Sequence, residues 1–302
     1  MRARPLIAAL LVVAACARPS VDGASPFSPT PNGDVKAGAE APAGHPEGGS
    51  SDGGAQASGS SGGVPGSSPS APAPTAAPAP SSNDKGAVGQ NALAYLRSVY
   101  PRIVIEVDAA SGREPNTATL EHVRSELDEV ASKPDGISTS VSTFKPSTDR
   151  YTIDDIRDLE RRLRNTRTTG DTASLYVLFI NGRYEDGNED EEVLGLAYSA
   201  SGFAIFKDAI ASASSLLVPA SAIERSVTLH EIGHILRLIN IGYTSPRDHE
   251  DPDHPNHSSN RRSVMHWAVE SDLISSVFSG PPPDTFDADD LADLADLKAG
   301  RL

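Results

Sequence analysis

The apolar positions of this chain fall into two regimes. From about residue 89 onward they recur with the periods of folded elements, whereas the preceding stretch, past a short N-terminal run, has almost none. Ile103-Val104-Ile105-Glu106-Val107 reads as a strand. Pro115 to Ser132 reads as an amphipathic helix, with Leu120, Val123, Leu127 and Val130 at helical spacing. Ile137 to Phe144 alternates like a half-buried strand, and Tyr151 to Arg164 carries Ile153, Ile156, Leu159 and Leu163 on one side of a second helix. Ser174 to Ile180 is apolar almost throughout, as expected of a central strand covered on both faces. Val193 to Tyr198 and Phe203 to Phe206 read as two more strands joined by Ser199-Ala200-Ser201-Gly202. A helix is predicted from about 219 to 240, opened by Pro219, with Gly242 the next terminator and an irregular segment beyond it. After Pro281-Pro282-Pro283, Asp287 to Ala299 reads as a last helix. Its stripe is Leu291, Leu294 and Leu297, with Asp289, Asp290, Asp293 and Asp296 facing outward. This order of elements describes an α+β domain.

The N-terminus has a different character. Met1-Arg2-Ala3-Arg4 is a basic start, and the apolar run Leu6 to Ala15 is too short for a permanent bilayer span but has the layout of an export signal. The run ends at Cys16, the chain's single cysteine, preceded by small residues. That resembles a bacterial lipoprotein signal, in which the cysteine is lipidated and becomes the new N-terminus; the alternative is an ordinary cleaved signal with Cys16 incidental. On the first reading residues 1–16 are a lipoprotein-type signal peptide. The protein is then exported and held on the extracytoplasmic face of a bacterial membrane by a lipid at Cys16. Residues 17–88 are dominated by Ser, Gly, Ala and Pro, with too little apolar surface to offset the entropy of ordering, and read as a disordered linker. The remainder, 89–302, suits one domain.

Composition narrows the partners. Asp and Glu number 41 against 26 Lys and Arg, a net charge of −15, which opposes binding to nucleic acid or to anionic lipid by charge. One cysteine excludes an intrachain disulfide, so stability falls to the core and to any bound metal. The acidic run Glu185 to Glu192 lacks the spacing of a calcium loop and reads as a solvated loop.

Of the eight histidines, six lie between positions 230 and 266: His230, His234, His249, His254, His257 and His266. Histidine is neither a good core filler nor a good helix former, so the clustering points to metal. His230-Glu231-Ile232-Gly233-His234 places two imidazoles one helical turn apart on one face, able to share a zinc ion. Zinc acidifies a water molecule, and Glu231, next to the first ligand, is the candidate general base. A third ligand is required from downstream, where His249 is one candidate, with Asp251 and His254 behind it.

The run His257-Ser258-Ser259-Asn260-Arg261-Arg262-Ser263-Val264-Met265 resembles the archaemetzincin pattern of His, Cys, four residues, Cys, one residue, Met, with serine at both cysteine places. The resemblance covers residues 230–238 and 257–267. It implies a metzincin-like zincin domain with a mixed twisted sheet, an HExxH active-site helix, a Met-turn at Met265 and a C-terminal helix. It also implies His257 as the final zinc ligand, peptide or protein substrates, and hydrolysis of peptide bonds with Glu231 as general base. An edge strand above the cleft binds substrate backbone in that architecture, and Val193 to Tyr198 is the candidate. Three departures stand out. Arg237 and Asn240 occupy the places of a helix-ending glycine and a third histidine, so the helix is not obliged to stop there. Ser258 and Ser263 remove ligands of a second zinc, so one zinc is expected. His266 follows the Met-turn, near where several metzincins place a tyrosine that assists the oxyanion, and reads as a surface or supporting histidine before a catalytic one. The alternatives to a peptidase are a non-catalytic zinc-containing surface binding module and a zinc hydrolase of non-peptide amides.

Overall fold

The computed structural model describes residues 83–185 and 192–302. The expected signal, Cys16, the linker up to residue 82 and most of the acidic run, 186–191, lie outside the described residues. Residues 83–88, assigned to the linker by composition, are tied into the domain. Thr168 N donates to Asp84 Oδ2 at 2.9 Å, and Ala200 N donates to the Gly86 carbonyl at 2.8 Å. The folded region therefore starts before the change in composition.

After a short helix α1 (Ala92–Leu96), the chain forms β1 (Arg102–Ala110), α2 (Thr117–Val130), β2 (Ile137–Phe144), β3 (Arg150–Tyr151), α3 (Ile153–Leu163), β4 (Thr172–Ile180), β5 (Arg183–Tyr184), β6 (Gly195–Ala197) and β7 (Gly202–Phe206). The main sheet has the order β2-β1-β4-β7-β6, with β1, β2, β4 and β7 parallel and β6 antiparallel at one edge. The apolar run of β4 occupies the centre, where eight of its nine residues are buried. The opposite edge differs from expectation. Rather than alternating, β2 exposes Ser138 to Thr143 on both faces, and only Ile137 and Phe144 pack partly on the core. An edge strand of Ser and Thr has little apolar surface to bury, so the alternation carried no inward face.

Helix α3 starts on a capping box, Thr152 accepting from Asp155 N while Asp155 accepts from Thr152 N. The chain then continues through α4 (Lys207–Ala213), α5 (Ala220–Ile235), the hairpin β8 (Glu250–Asp251) and β9 (His254–Ser258), a 3₁₀ turn at Trp267–Val269, α6 (Ile274–Val277) and α7 (Ala288–Ala299). Helix α5 packs against α2 and α4 and beneath β6 and β7, so the HExxH residues face the antiparallel edge of the sheet. It ends at Ile235, five residues before the expected boundary. Arg237 takes a left-handed conformation with φ of 77°, and Leu238 N bonds back to the Gly233 carbonyl at 2.9 Å. Thus Arg237, not Gly242, turns the chain. Its guanidinium holds the carbonyls of Ile241 and Gly242 and lies over the Tyr243 ring.

The last helix, capped by Asp287 and closed by left-handed Gly300, also departs from its simple amphipathic reading. Asp290 and Asp293 are fully buried, while Leu291 is 41% exposed. Asp293 accepts from Tyr243, Ser245 and Arg247, and Asp290 Oδ2 accepts from Ser263 Oγ at 2.6 Å and from Asp287 N at 3.1 Å. The irregular segment brings enough donors to make a polar face the inward one.

Burial pushes the Asp290 carboxyl up to about 7 from an ordinary 3.8. A carboxyl raised in the folded state favours folding fully at pH below its unfolded value, and that contribution is lost as pH rises through about 7. Asp290→Asn keeps an acceptor for Ser263 and Asp287 but cannot ionise. We expect it to leave thermal stability near pH 5 nearly unchanged and to flatten the decline of stability between about pH 5 and 8. Equal pH slopes for the two proteins in thermal melts would refute this account of Asp290.

Candidate metal centre

Helix periodicity sets the first two imidazoles. The Nε2 atoms of His230 and His234, one turn apart on α5, lie 3.0 Å from each other. The third comes from the hairpin. His257, on β9, stacks on the His230 ring at 5.3 Å and meets the His234 ring edge-on at 5.1 Å. Ser258 N donates to the Met265 carbonyl at 2.8 Å, so the hairpin and the turn around Met265 are fixed together. That turn backs onto α5 at Gly233, where an added β-carbon would lie 2.1 Å from Met265 Sδ. Any larger residue here would have to displace the Met265 side chain; the constraint is close approach, not backbone conformation.

Hydrogen bonds fix the tautomers. His230 Nδ1 faces the Val264 carbonyl at 2.7 Å and His257 Nδ1 faces the Pro255 carbonyl at 3.1 Å. A carbonyl only accepts, so each Nδ1 carries the proton and each Nε2 keeps its lone pair for the cluster. This is the arrangement that metal-ligating histidines use. A fourth group joins them: Glu270 Oε1 lies 3.0 Å from His257 Nε2, and Oε2 lies 3.6 Å from His230 Nε2. Despite that proximity His257 Nε2 lacks a hydrogen bond of acceptable alignment, and so do both buried oxygens of Glu231. Ligand atoms of His230, His234, His257 and Glu270 all lie within 4.8 Å of one another. Zinc bonds of about 2.0–2.1 Å set the edges of a tetrahedron at roughly 3.3 Å. Three of the separations, 3.0 Å for His230–His234, 3.0 Å for His257–Glu270 and 3.6 Å for His230–Glu270, bracket that edge. Donor chemistry, spacing and the orphaned atoms all fit a zinc ion.

Electrostatics agree with the geometry. Burial, and then the neighbouring His230 and His257, hold His234 well below its ordinary value and therefore neutral. Burial pulls His257 down, but the Glu270 carboxylate outweighs it and raises the ring. Burial alone would raise Glu270, yet His257 and His230 hold it well below the usual carboxylate range. Burial, reinforced by the Glu270 charge, raises Glu231 well above it.

Of the residues singled out in the sequence, His230, His234 and His257 converge, with Glu231 buried beside them. His249 does not join them: its Nε2 pairs with Asp293 at 3.1 Å, and its Nδ1 lies 3.8 Å from Asp290. His249 does approach Asp287 and Asp289, but Asp289 is exposed and Asp287 already accepts from Asn260, Asp289 N and Asp290 N. His254 stacks on Trp267 at 4.4 Å and pairs with Asp251, and His266 Nδ1 accepts from Ala268 N. Burial takes His266 down to about 4, so it is a neutral cap on the 3₁₀ turn. Glu270 was not singled out in the sequence. It stands outside any recognised spacing, and its one signal is a charge that follows the largely buried Trp267-Ala268-Val269 turn.

No family model matches the chain, and no curated protein does. Among solved structures it is similar to archaemetzincin from Methanopyrus kandleri, at 14% identity and a TM-score of 0.44, over 65% of this chain and 94% of that one. A zinc-dependent peptidase from Methanocorpusculum labreanum aligns at 14% identity and a TM-score of 0.39, over 63% of this chain and 99% of that one. Metalloproteinase-II from Bacteroides fragilis aligns at 13% identity and a TM-score of 0.36, over 65% of this chain and 53% of that one.

Because Met265 is wedged against Gly233 while its neighbour Val264 orients His230, Gly233→Ala should disturb both packing and ligand. We expect a loss of about 1–3 kcal/mol in unfolding free energy, typical of overpacking, together with weaker zinc binding. Denaturant unfolding and chelator competition measure the two, and unchanged values in both would show that the turn does not support the centre.

Proposed function

We propose that this chain is a zinc-dependent peptidase of metzincin type, with His230, His234 and His257 as zinc ligands and Glu231 as general base. One observation carries the reading. A fully buried carboxylate whose oxygens meet no well-aligned hydrogen-bond donor sits in sequence beside the first of three imidazoles whose ligand nitrogens lie together. A purely structural centre has no use for such a group. Zinc in the centre supplies Lewis acidity, polarising a carbonyl and acidifying a water.

The chain's own residues do the rest. Glu231 takes a proton from the attacking water and passes it to the departing amine. His230 and His257 are held in a single tautomer by Val264 and Pro255, so they need no reorientation. Strand β6 runs directly over the carboxylate, since a β-carbon on Gly195 would fall 2.5 Å from Glu231 Oε1. A peptide added as a strand along Gly195–Ala197 would then present its carbonyls above Glu231. The domain is proposed to work outside the cytoplasm, tethered through the 17–82 linker to a lipid on Cys16. The reasons are the apolar run before that cysteine and the lack of folding potential in the linker.

Purified protein incubated with zinc and an unstructured protein substrate is expected to cleave it, and a chelator should stop cleavage. Glu231→Gln should retain zinc but cleave about 10²–10⁴-fold more slowly. Zinc-loaded wild type without cleavage of any peptide substrate would favour the binding-module alternative.

A further inference from the structure

We propose that Glu270 is a fourth protein ligand of the metal held by His230, His234 and His257, so that the resting centre is closed to outside ligands. The proposal rests on the metal reading above and deepens it.

Three observations converge on it. First, the carboxylate is placed among the ligand atoms, with one oxygen 3.0 Å from His257 Nε2 and the other 3.6 Å from His230 Nε2. Second, with the Nδ1 proton given to the Pro255 carbonyl, the neutral ring has no Nε2 proton to donate across the 3.0 Å to Glu270. Nitrogen and oxygen stand side by side, as two ligands of one ion do, instead of one donating to the other. Third, the position of Glu270 is imposed by backbone. The Glu270 carbonyl accepts from Leu194 N at 2.8 Å, Asp272 N donates to the Glu192 carbonyl at 3.0 Å, and Val193 and Ser271 form an antiparallel bridge. Residues 270–272 thus pair as a short antiparallel ladder with 192–194, the segment that leads into β6, and the carboxylate, 16% exposed, is held by that ladder and not by a free loop. Charge supports the assignment as well. Three neutral imidazoles leave a divalent cation's full charge in a buried site, and a carboxylate halves it.

Zinc sites with four protein ligands are usually structural, while catalytic sites keep one position open. The two readings meet if a substrate carbonyl displaces Glu270. The ladder that carries Glu270 is continuous with the edge proposed to receive the peptide, so substrate and ligand contend for one place.

The test uses full-length protein loaded with zinc for affinity, by chelator competition, and with cobalt for visible absorption during titration with azide. Wild-type cobalt protein is expected to keep its spectrum in azide. Glu270→Gln and Glu270→Ala should bind zinc at least tenfold more weakly, and their cobalt spectra should respond to azide. Wild-type zinc affinity in Glu270→Gln, or a wild-type cobalt spectrum as responsive to azide as the variant's, overturns the proposal. If both variants fail to fold by circular dichroism, the azide titration of wild type decides alone. His234→Ala run in parallel separates the two readings. Zinc retained by that variant would sink the metal centre itself, whereas zinc lost there and kept in Glu270→Gln would sink only the fourth ligand.

Discussion

His230, His234, His257 and Glu270 bring their ligand atoms within 4.8 Å of one another, and the fully buried Glu231 lies close enough to feel the Glu270 charge. Removing such groups from water is unfavourable unless each finds a partner, and protein atoms supply only part of what is needed. Two imidazoles donate Nδ1–H to carbonyls, but their Nε2 atoms are left against the Glu270 carboxylate, and both Glu231 oxygens lack a well-aligned donor. A cation resolves that imbalance in one step. On the proposed reading, metal affinity and folding free energy are linked in this domain, the more so because the chain's one cysteine, at position 16, offers no disulfide.

Much of the surrounding architecture follows from bringing a third histidine to a helix that already carries two. The helix has to stop soon after His234 so that the chain can double back. Here three non-glycine residues, Arg237, Ile239 and Asn240, enter the left-handed region, a strain of roughly 1–2 kcal/mol each. The Arg237 guanidinium offsets part of it by gathering the carbonyls of the following loop, and Asn240 Oδ1 accepts from Ser245 N. The hairpin then returns His257, the turn at Met265 wedges under Gly233, and α7 closes the lower side through Asp290 and Asp293. Ser263, standing where the archaemetzincin pattern has a cysteine, spends its hydroxyl on Asp290. A hydrogen-bond network thus ties the returning loop to the last helix.

What could be read from the sequence was whatever has a period or a fixed spacing. The strands β1, β4 and β7, the helices α2, α3 and α7, and the one-turn separation of His230 and His234 all belong to that class. Features set by tertiary partners escaped it. The end of α5 depended on what Arg237 could reach after the turn, and the inward aspartates of α7 depended on Arg247 and Ser263, residues distant in sequence. The exposure of β2 reflected its place at the sheet edge, which alternation does not encode. Glu270 reached the centre through a backbone ladder to residues 192–194, and no spacing rule relates those segments.

Choice of the third imidazole is where this account is most exposed, because His249 and His257 lie on the same returning segment and only one meets His230 and His234. Zinc content and affinity of purified His257→Ala and His249→Ala, compared with wild type, address it directly. The account predicts that His257→Ala loses tight zinc binding while His249→Ala keeps it. Zinc retained without His257, or lost without His249, would contradict it.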